Sequence, residues 1–373
     1  MKAKIRLIKL IDMIFGYLLC LILGYIDFIF NLSLKNTKIQ NPKKVLFIRP
    51  GGMGDFLYLL PAINELKTMF PDIEIHVLAE RRNKRVAELT KSIATIYCYD
   101  DSLIKTLKRL FRERYDVVID TEQIHHSSAL MAYITRAKVR IGFKIKPVRN
   151  HLYTHLIDYS LSGHESMEFM KLLSPFGIKD RDIFNDNYLK MDGGEKGALS
   201  NEIHHIINNL KPYVVIAPRG QERYRYWAPY KYKAIINYLL KTQNDNIVIV
   251  GGRAEKDIVK EIMKGMENIR VISMVGKTSF FELYMILSKA KLFIGCDSGV
   301  SILASMLGVK SIVLFGSADE NKWAWRGKNC IAIRKRLSCS PCQVLGKYKL
   351  CKEILCMKFL SPKEVIKILK DYL

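Results

Sequence analysis

From Lys43 onward, short apolar runs alternate with longer segments whose apolar positions recur every three or four residues. Residues 45–48 read as a strand, followed by a helix from about 54 to 70. Residues 73–78 form the next strand, and 116–120 another after a helix around 103–112. Residues 139–142 read as one more. The second half repeats the pattern, with strands at 214–217, 247–250, 271–273, 292–295 and 311–315 and helices between them. Such alternation calls for parallel sheets joined by right-handed crossovers. Two of these units predict an α/β chain of two doubly wound, Rossmann-like domains, with ligands at the carboxyl ends of the strands. The polar stretch around Asp192-Gly193-Gly194 marks the boundary, giving domains 41–200 and 201–373. Near the end, Ser361-Pro362-Lys363-Glu364 reads as a capping box that opens a last helix.

The first 40 residues have a different pattern. Lys2, Arg6, Lys9, Asp12, Gly16, Cys20, Gly24, Asp27, Asn31 and Lys35 recur every three or four residues, with Ile, Leu, Phe, Met and Tyr filling the rest. That is a narrow polar or small stripe on an otherwise apolar amphipathic helix. The longest uncharged stretch, 13–26, is shorter than the roughly 20 residues a bilayer span needs. Three readings stay open: an interfacial helix or shallow hairpin with its basic end on lipid phosphates, a true span, and a core helix. Asn41-Pro42 ends the segment before the globular part.

Composition narrows the class of partner. A length of 373 residues suits two domains, and 49% hydrophobic with 26% charged residues describes a folded protein. The formal net charge of +24 favours anionic partners. Lys and Arg are spread along the chain, with no RNA-binding signature and no compact basic tail, which sets nucleic acid aside. An acidic membrane surface and phosphorylated ligands account for the charge better. Eight cysteines are too few for a disulfide scaffold, and no cleavable signal is convincing, so the expected compartment is reducing and cytoplasmic.

The first strand ends in Arg49-Pro50-Gly51-Gly52-Met53-Gly54-Asp55 before a helix. Glycines there let backbone approach a ligand, and the helix start offers free N–H groups. The spacing is neither the dinucleotide fingerprint nor a P-loop. Asp55 alone reads as an N-cap or as a functional carboxylate at the strand end. In the second half Gly295-Cys296-Asp297-Ser298-Gly299 makes a similar turn into a helix, where Ser298 or Asp297 is a cap or holds a diphosphate or sugar. Gly276-Lys277-Thr278-Ser279 and Phe315-Gly316-Ser317 face the same edge, and their convergence favours a nucleotide pocket.

Here the chain resembles a known family. VLFIRPGGMGDFLYLLPAINELKTMFPDIEIHVLAE (45–80), IAPRGQERYRYWAP (216–229), IVIVGG (247–252) and DSGVSILASMLGVKSIVLFGSADENKW (297–323) are similar to glycosyltransferase family 9, the lipopolysaccharide heptosyltransferases. The resemblance covers about 45–370, with the motifs in order. It implies a GT-B fold whose two domains face a cleft. It also implies inverting, metal-independent transfer from a nucleotide-sugar donor, with no cofactor required. An anionic glycolipid acceptor and a peripheral or monotopic place on the cytoplasmic face of the inner membrane follow from it. Asp55 matches the family's catalytic base, and Arg225 the basic residue near the donor phosphates. Asp297, Ser298 and Gly299 match the donor-binding helix start, with Gly276, Lys277 and Thr278 as further donor-side residues. Arg49, Gly51, Gly52 and Gly54 form the acceptor-side or phosphate-side loop. One departure stands out: the family's usual His three residues after the glycine of the DSG motif is Ile302 here. Heptose from ADP-heptose is the leading donor. The alternatives are a hexose or N-acetylhexosamine transferase, and a donor-binding protein without catalysis.

Cys339, Cys342, Cys351 and Cys356 have the spacing C-x2-C-x8-C-x4-C, which suits either a structural zinc or unligated thiols. His151 and His155 are spaced for one helical face. They read, like His125-His126 and His204-His205, as surface or acceptor-contact residues, and His164 opens a helix.

Overall fold

A computed structural model of the chain describes residues 10–30, 39–179, 181–184, 188–189, 199–210, 212–218, 223–344, 351 and 353–372. The segment around Asp192 to Gly194 lies outside them. The chain divides into two compact units, Met1–Ile183 and Phe184–Leu373.

Unit 1 carries β1 (Lys44–Ile48), β2 (Glu74–Ala79), β3 (Thr95–Cys98), β4 (Val117–Asp120), β5 (Val139–Phe143) and β6 (His155–Ile157). They form one sheet in the order β3-β2-β1-β4-β5-β6, with every pairing parallel. Helices cover the sheet, so central strands such as Val-Leu-Phe-Ile of β1 are buried throughout. Each fully buried side chain of this kind contributes about 1.5–3 kcal/mol relative to exposure.

Unit 2 carries β7 (Tyr213–Ala217), β8 (Asn246–Ile249), β9 (Val271–Ser273), β10 (Leu292–Cys296), β11 (Ser311–Phe315) and β12 (Cys330–Arg334). Their order is β12-β11-β10-β7-β8-β9, again all parallel. Counted within its own unit, each sheet runs 3-2-1-4-5-6, the doubly wound order. The direction of winding reverses between β1 and β4 in unit 1 and between β7 and β10 in unit 2. Loops leaving the carboxyl ends on either side of a reversal diverge to opposite faces and leave a crevice there.

The expected strands are all present. Three edge strands escape sequence reasoning: β3, β6 and β12. Each is short and partly exposed; β3 and β6 offer no long apolar run, and β12 keeps only Ile333 buried.

The N-terminal helix is inverted relative to an ordinary surface helix. A π-helical turn, Asp12–Gly16, leads into an α-helix, Tyr17–Phe30. Its polar and small stripe packs on unit 1, while Phe15, Ile22, Tyr25, Phe28 and Ile29 are exposed. The Asp12 carboxylate accepts the backbone N–H groups of His126 at 3.0 Å and Ser127 at 2.7 Å. These open the helix His126–Ile134, whose own N-cap residue provides no side-chain acceptor. A distant residue thus satisfies donors that every helix start leaves free. Burial pushes the Asp12 carboxyl up, but bonds from His125, His126 and Ser127 outweigh it and hold it well below the usual carboxylate range.

Glycine is required at two positions along the stripe. A Cβ on Gly16 would lie 2.8 Å from the Cβ of His126, and one on Gly24 2.7 Å from that of His151. Between them Cys20 is buried in the unit 1 core beside Ala129, Val148 and Leu152. Asp27 closes the row, 3.6 Å from Arg140. The core-helix reading is therefore corrected, because the apolar side faces outward and the polar side inward.

Candidate active site

In unit 1 the crevice is built from the ends of β1 and β4. Arg49 leaves β1 and turns inward, where its Nη1 donates to the Thr121 carbonyl at 2.7 Å. The same atom lies 3.5 Å from Gln123 Oε1, and the guanidinium sits 5.1 Å from the centre of the Phe169 ring. Burial disfavours its charge, but Asp55, Glu122 and Glu165 around it raise the Arg49 pKa overall. Glu122 responds in kind: burial pushes it up, and Arg49 with His125 brings it below its ordinary value. Gln123 Nε2 and Tyr159 Oη both donate to Glu165, at 2.6 and 2.7 Å.

Arg49 Nη2 lies 3.5 Å from Asp55 Oδ1, and the two side chains differ in exposure, 5% for the arginine and 34% for the carboxylate. The cation is inside and the anion faces out. The N-cap reading of Asp55 is corrected. Gly52 is the N-cap of the helix Met53–Met69, and Asp55 stands at its third position, accepting the Gly52 N–H at 3.0 Å. Gly51 adopts φ of 129°, a conformation that L side chains rarely adopt, and a Cβ there would lie 3.1 Å from Asp55 Oδ2. Gly54 follows in the first helical turn.

Beneath this loop Asp120 ends β4 in a fully buried cluster. Arg149 Nη2 lies 3.0 Å from its Oδ2, and Tyr153 Oη donates to the same oxygen at 2.6 Å. Burial raises the Asp120 pKa against the pull of Arg149. Gly142 on β5 leaves room for the Tyr153 ring, which would lie 2.6 Å from a Cβ there.

In unit 2 the crevice lies at the ends of β7 and β10. Arg225 closes a 3-10 turn, Arg223–Arg225, and its Nε is 3.2 Å from Asp297 Oδ2. Exposure is reversed here, 21% for the arginine and 5% for the carboxylate. Trp227, fully buried, anchors the segment by donating Nε1–H to the Leu360 carbonyl at 2.9 Å. Gly316 admits it from the other side, since a Cβ there would lie 2.6 Å from the Tyr224 carbonyl oxygen. The 315–317 turn thus serves the protein's own packing, with Ser317 O also accepting from Cys342 N at 2.9 Å.

Ser298, and not Asp297, caps the helix Gly299–Met306: its Oγ accepts the Ser301 N–H at 3.4 Å, and Ser298 N donates to Ser301 Oγ at 2.9 Å. Ile302 is buried in the first turns of that helix. Gly276, Lys277 and Thr278 follow β9, at the outer edge of the sheet. Strand spacing of about 4.8 Å puts them roughly 10 Å from β7 and roughly 15 Å from β10. Gly276 takes φ of 71°, and Lys277 Nζ pairs with Glu202 Oε1 at 3.0 Å. The structure therefore joins Arg225 to Asp297, while Lys277 pairs with Glu202.

Sequence reasoning missed Thr121, Glu122, Gln123, Phe169 and Glu165, which surround Arg49. The signal available was the polar run 120–123 directly after a strand. The histidine expectations need correction. His155 lies in β6 and is buried, so it shares no helical face with His151. His126 is buried against the N-terminal helix, while His164 does cap a helix, accepting from Ser166 N at 3.2 Å. Among the described residues no three His, Cys, Asp or Glu side chains group to hold a metal. Cys356 is turned into the unit 2 core, where Cys342 and Cys339 act on it electrostatically, and Cys339 is exposed in a turn.

Two doubly wound sheets, each in the order 3-2-1-4-5-6, give the two-domain α/β architecture of the GT-B class. The chain belongs to glycosyltransferase family 9 (heptosyltransferase), whose family profile matches residues 103–352. It is 25% identical over 296 residues to lipopolysaccharide heptosyltransferase 3 of Escherichia coli, covering 74% of this chain and 85% of that one. It is 27% identical over 354 residues to lipooligosaccharide heptosyltransferase 2 of Campylobacter jejuni, covering 88% and 98%. Among solved structures, E. coli ADP-heptose lps heptosyltransferase II aligns with a TM-score of 0.68 at 15% identity, over 88% of this chain and 98% of that chain.

Proposed function

We propose that the protein transfers a heptose from ADP-heptose to a lipopolysaccharide-type glycolipid acceptor, with inversion and without a metal, at the cytoplasmic face of the membrane. The observation that carries this reading is the opposite exposure of the two arginine–aspartate pairs. Unit 1 presents a carboxylate and unit 2 presents a guanidinium. A sugar transfer needs one of each.

In this reading Asp55 accepts the proton of the acceptor hydroxyl as its oxygen attacks the anomeric carbon. The bond from that carbon to the donor phosphate breaks on the opposite face, which inverts the configuration. Negative charge gathers on the departing diphosphate. Arg225 meets it, together with the N-terminus of the helix behind Ser298 and Gly299, whose dipole favours an anion. Asp297, 3.2 Å from Arg225 Nε, fixes the position of the guanidinium. Arg49 positions Asp55, and Gly51, Gly52 and Gly54 keep side chains away from the acceptor. The 276–278 turn, at the sheet edge, serves the donor's nucleoside end. The names of the relatives support heptose and a lipid-linked acceptor.

A thermal-shift panel of ADP-, UDP-, GDP- and CMP-sugars tests the donor, followed by turnover with a lipid A-type acceptor in the presence and absence of EDTA. A shift with ADP-heptose alone and EDTA-resistant turnover are expected. A shift with another nucleotide sugar instead, or loss of turnover in EDTA, overturns the corresponding part.

A further inference from the structure

Polar contacts at both ends hold the N-terminal helix along the flank of unit 1. Asp12 caps the helix His126–Ile134, and Asp27 meets Arg140. Residues 12–29 have the length and mean hydropathy, 1.8, to cross a membrane. A helix fastened along its whole length to a folded domain cannot also stand across a bilayer, because crossing would strip both carboxylates of their partners.

Its direction is fixed by the same contacts. Asp12 sits at the start of His126–Ile134, which follows the carboxyl end of β4. Asp27 sits by Arg140, near the amino end of β5. The helix therefore runs along the strand axis of unit 1, for roughly 27 Å at 1.5 Å per residue. Its amino end is at the edge that carries Asp55.

We propose that residues 10–30 form a monotopic platform that lies flat in the interfacial layer of an anionic bilayer. The strands of unit 1 then run parallel to the membrane, and its Asp55 edge opens sideways at headgroup level. Charge complementarity favours lipid as the occupant. The outward face carries no formal charge, because Asp12 and Asp27 both turn inward. In the sequence Lys2, Lys4, Arg6 and Lys9 precede it, and Lys35 and Lys38 follow. Apolar side chains flanked by lysine and arginine match acyl chains beneath anionic headgroups. This deepens the functional reading, on which it rests for the acceptor: a lipid-linked sugar would lie in the plane onto which that edge opens.

Depth-dependent fluorescence quenching tests it in the full chain. Phe15→Trp, Ile22→Trp and Ile29→Trp replace exposed residues seven apart, on one face of the helix. Each is bound to vesicles of phosphatidylethanolamine and phosphatidylglycerol brominated at shallow or deep acyl positions. All three are expected to be quenched equally, and more by the shallow label than the deep one. Deep quenching of Ile22→Trp with shallow quenching of the other two would mean a span and would overturn the proposal. Absence of quenching with a dimer in sedimentation would assign the face to a second copy, also overturning it. The double variant Ile22→Glu/Ile29→Glu should lose vesicle binding at least tenfold while keeping its ADP-heptose thermal shift. Unchanged vesicle binding by that variant would sink the platform. A uniform depth profile without any ADP-heptose shift would instead count against the donor reading alone.

Discussion

The two crevices are built at the same place in the same strand order, with the same two residue types, and differ in which partner is hidden. In unit 1 the arginine is enclosed by β4 and a phenylalanine ring, and its aspartate reaches the surface. In unit 2 the aspartate is enclosed and its arginine reaches the surface. A buried ion must be matched by surrounding groups, whereas its partner is the member that reaches the surface. One fold thus yields an anionic site and a cationic site by exchanging the inner and outer members of a pair. The topology supplies the location, and burial decides the chemistry.

The strongest way to break this comparison is to remove the hidden cation. Arg49→Ala leaves Glu122 and Glu165 without their countercharge, and loss of one partner of a buried pair costs about 3–5 kcal/mol. The chain has three tryptophans, Trp227, Trp323 and Trp325, all in unit 2. Urea unfolding followed by tryptophan fluorescence therefore reads unit 2, while circular dichroism reads both units. Arg49→Ala should shift the dichroism curve to lower urea and leave the fluorescence curve in place. Coincident shifts would show that the destabilisation is not confined to unit 1.

Removing the exposed anion comes next. Asp55→Asn keeps the shape and can still accept the Gly52 N–H, and Asn and Asp are comparable at helix starts. Turnover should fall by roughly 100-fold or more, the scale of general-base loss, with ADP-heptose affinity unchanged. A fully active variant would reduce Asp55 to a structural role.

Arg225→Ala should weaken donor binding by roughly 10-fold or more, since a hydrogen bond to a charged group is worth about 1.5–3 kcal/mol. Titration calorimetry with ADP-heptose checks it. Equal loss of affinity in Asp55→Asn and Arg225→Ala would erase the division of labour between the units.

The smallest effect concerns the far end of unit 2. Burial works against the Glu364 anion, but Ser361 and Lys335 hold its pKa down to about 2. A folded value below the ordinary one near 4.3 gives stability that is full only above about pH 5. It is lost as the pH falls through about 2. Glu364→Gln should therefore flatten the acid dependence of the fluorescence-detected urea midpoint between pH 5 and pH 2.5. An unchanged slope would remove this carboxylate from the account. Asp12 in unit 1, held down by helix N–H groups, gives an acid dependence of the same sign.

Central strands were legible because burial on both faces demands unbroken Val, Ile and Leu, as in β1 and β7. The edge strands were not, because Thr95–Cys98 and His155–Ile157 are wetted on one side and need no such run. The glycine turns announced both crevices, since few other residues suit a strand-to-helix turn at a ligand. Which member of each pair is buried was not readable, because that depends on Thr121, Gln123 and Phe169, brought in from distant elements. The stripe on the first helix was equally plain in the sequence. Its partner was not, because the stripe's complement is the start of a helix more than a hundred residues away.

That separation bears on synthesis. Asp12 and the His126 N–H it caps are 114 positions apart. At a ribosome speed of about 5–20 residues per second, the helix emerges on the order of 6–20 s before the groups it docks on. Through that interval Asp12 has no helix start to cap. A nascent chain anchored early by its apolar side would fold the rest of unit 1 already beside the lipid. The enzyme's address would then be set before its fold is complete.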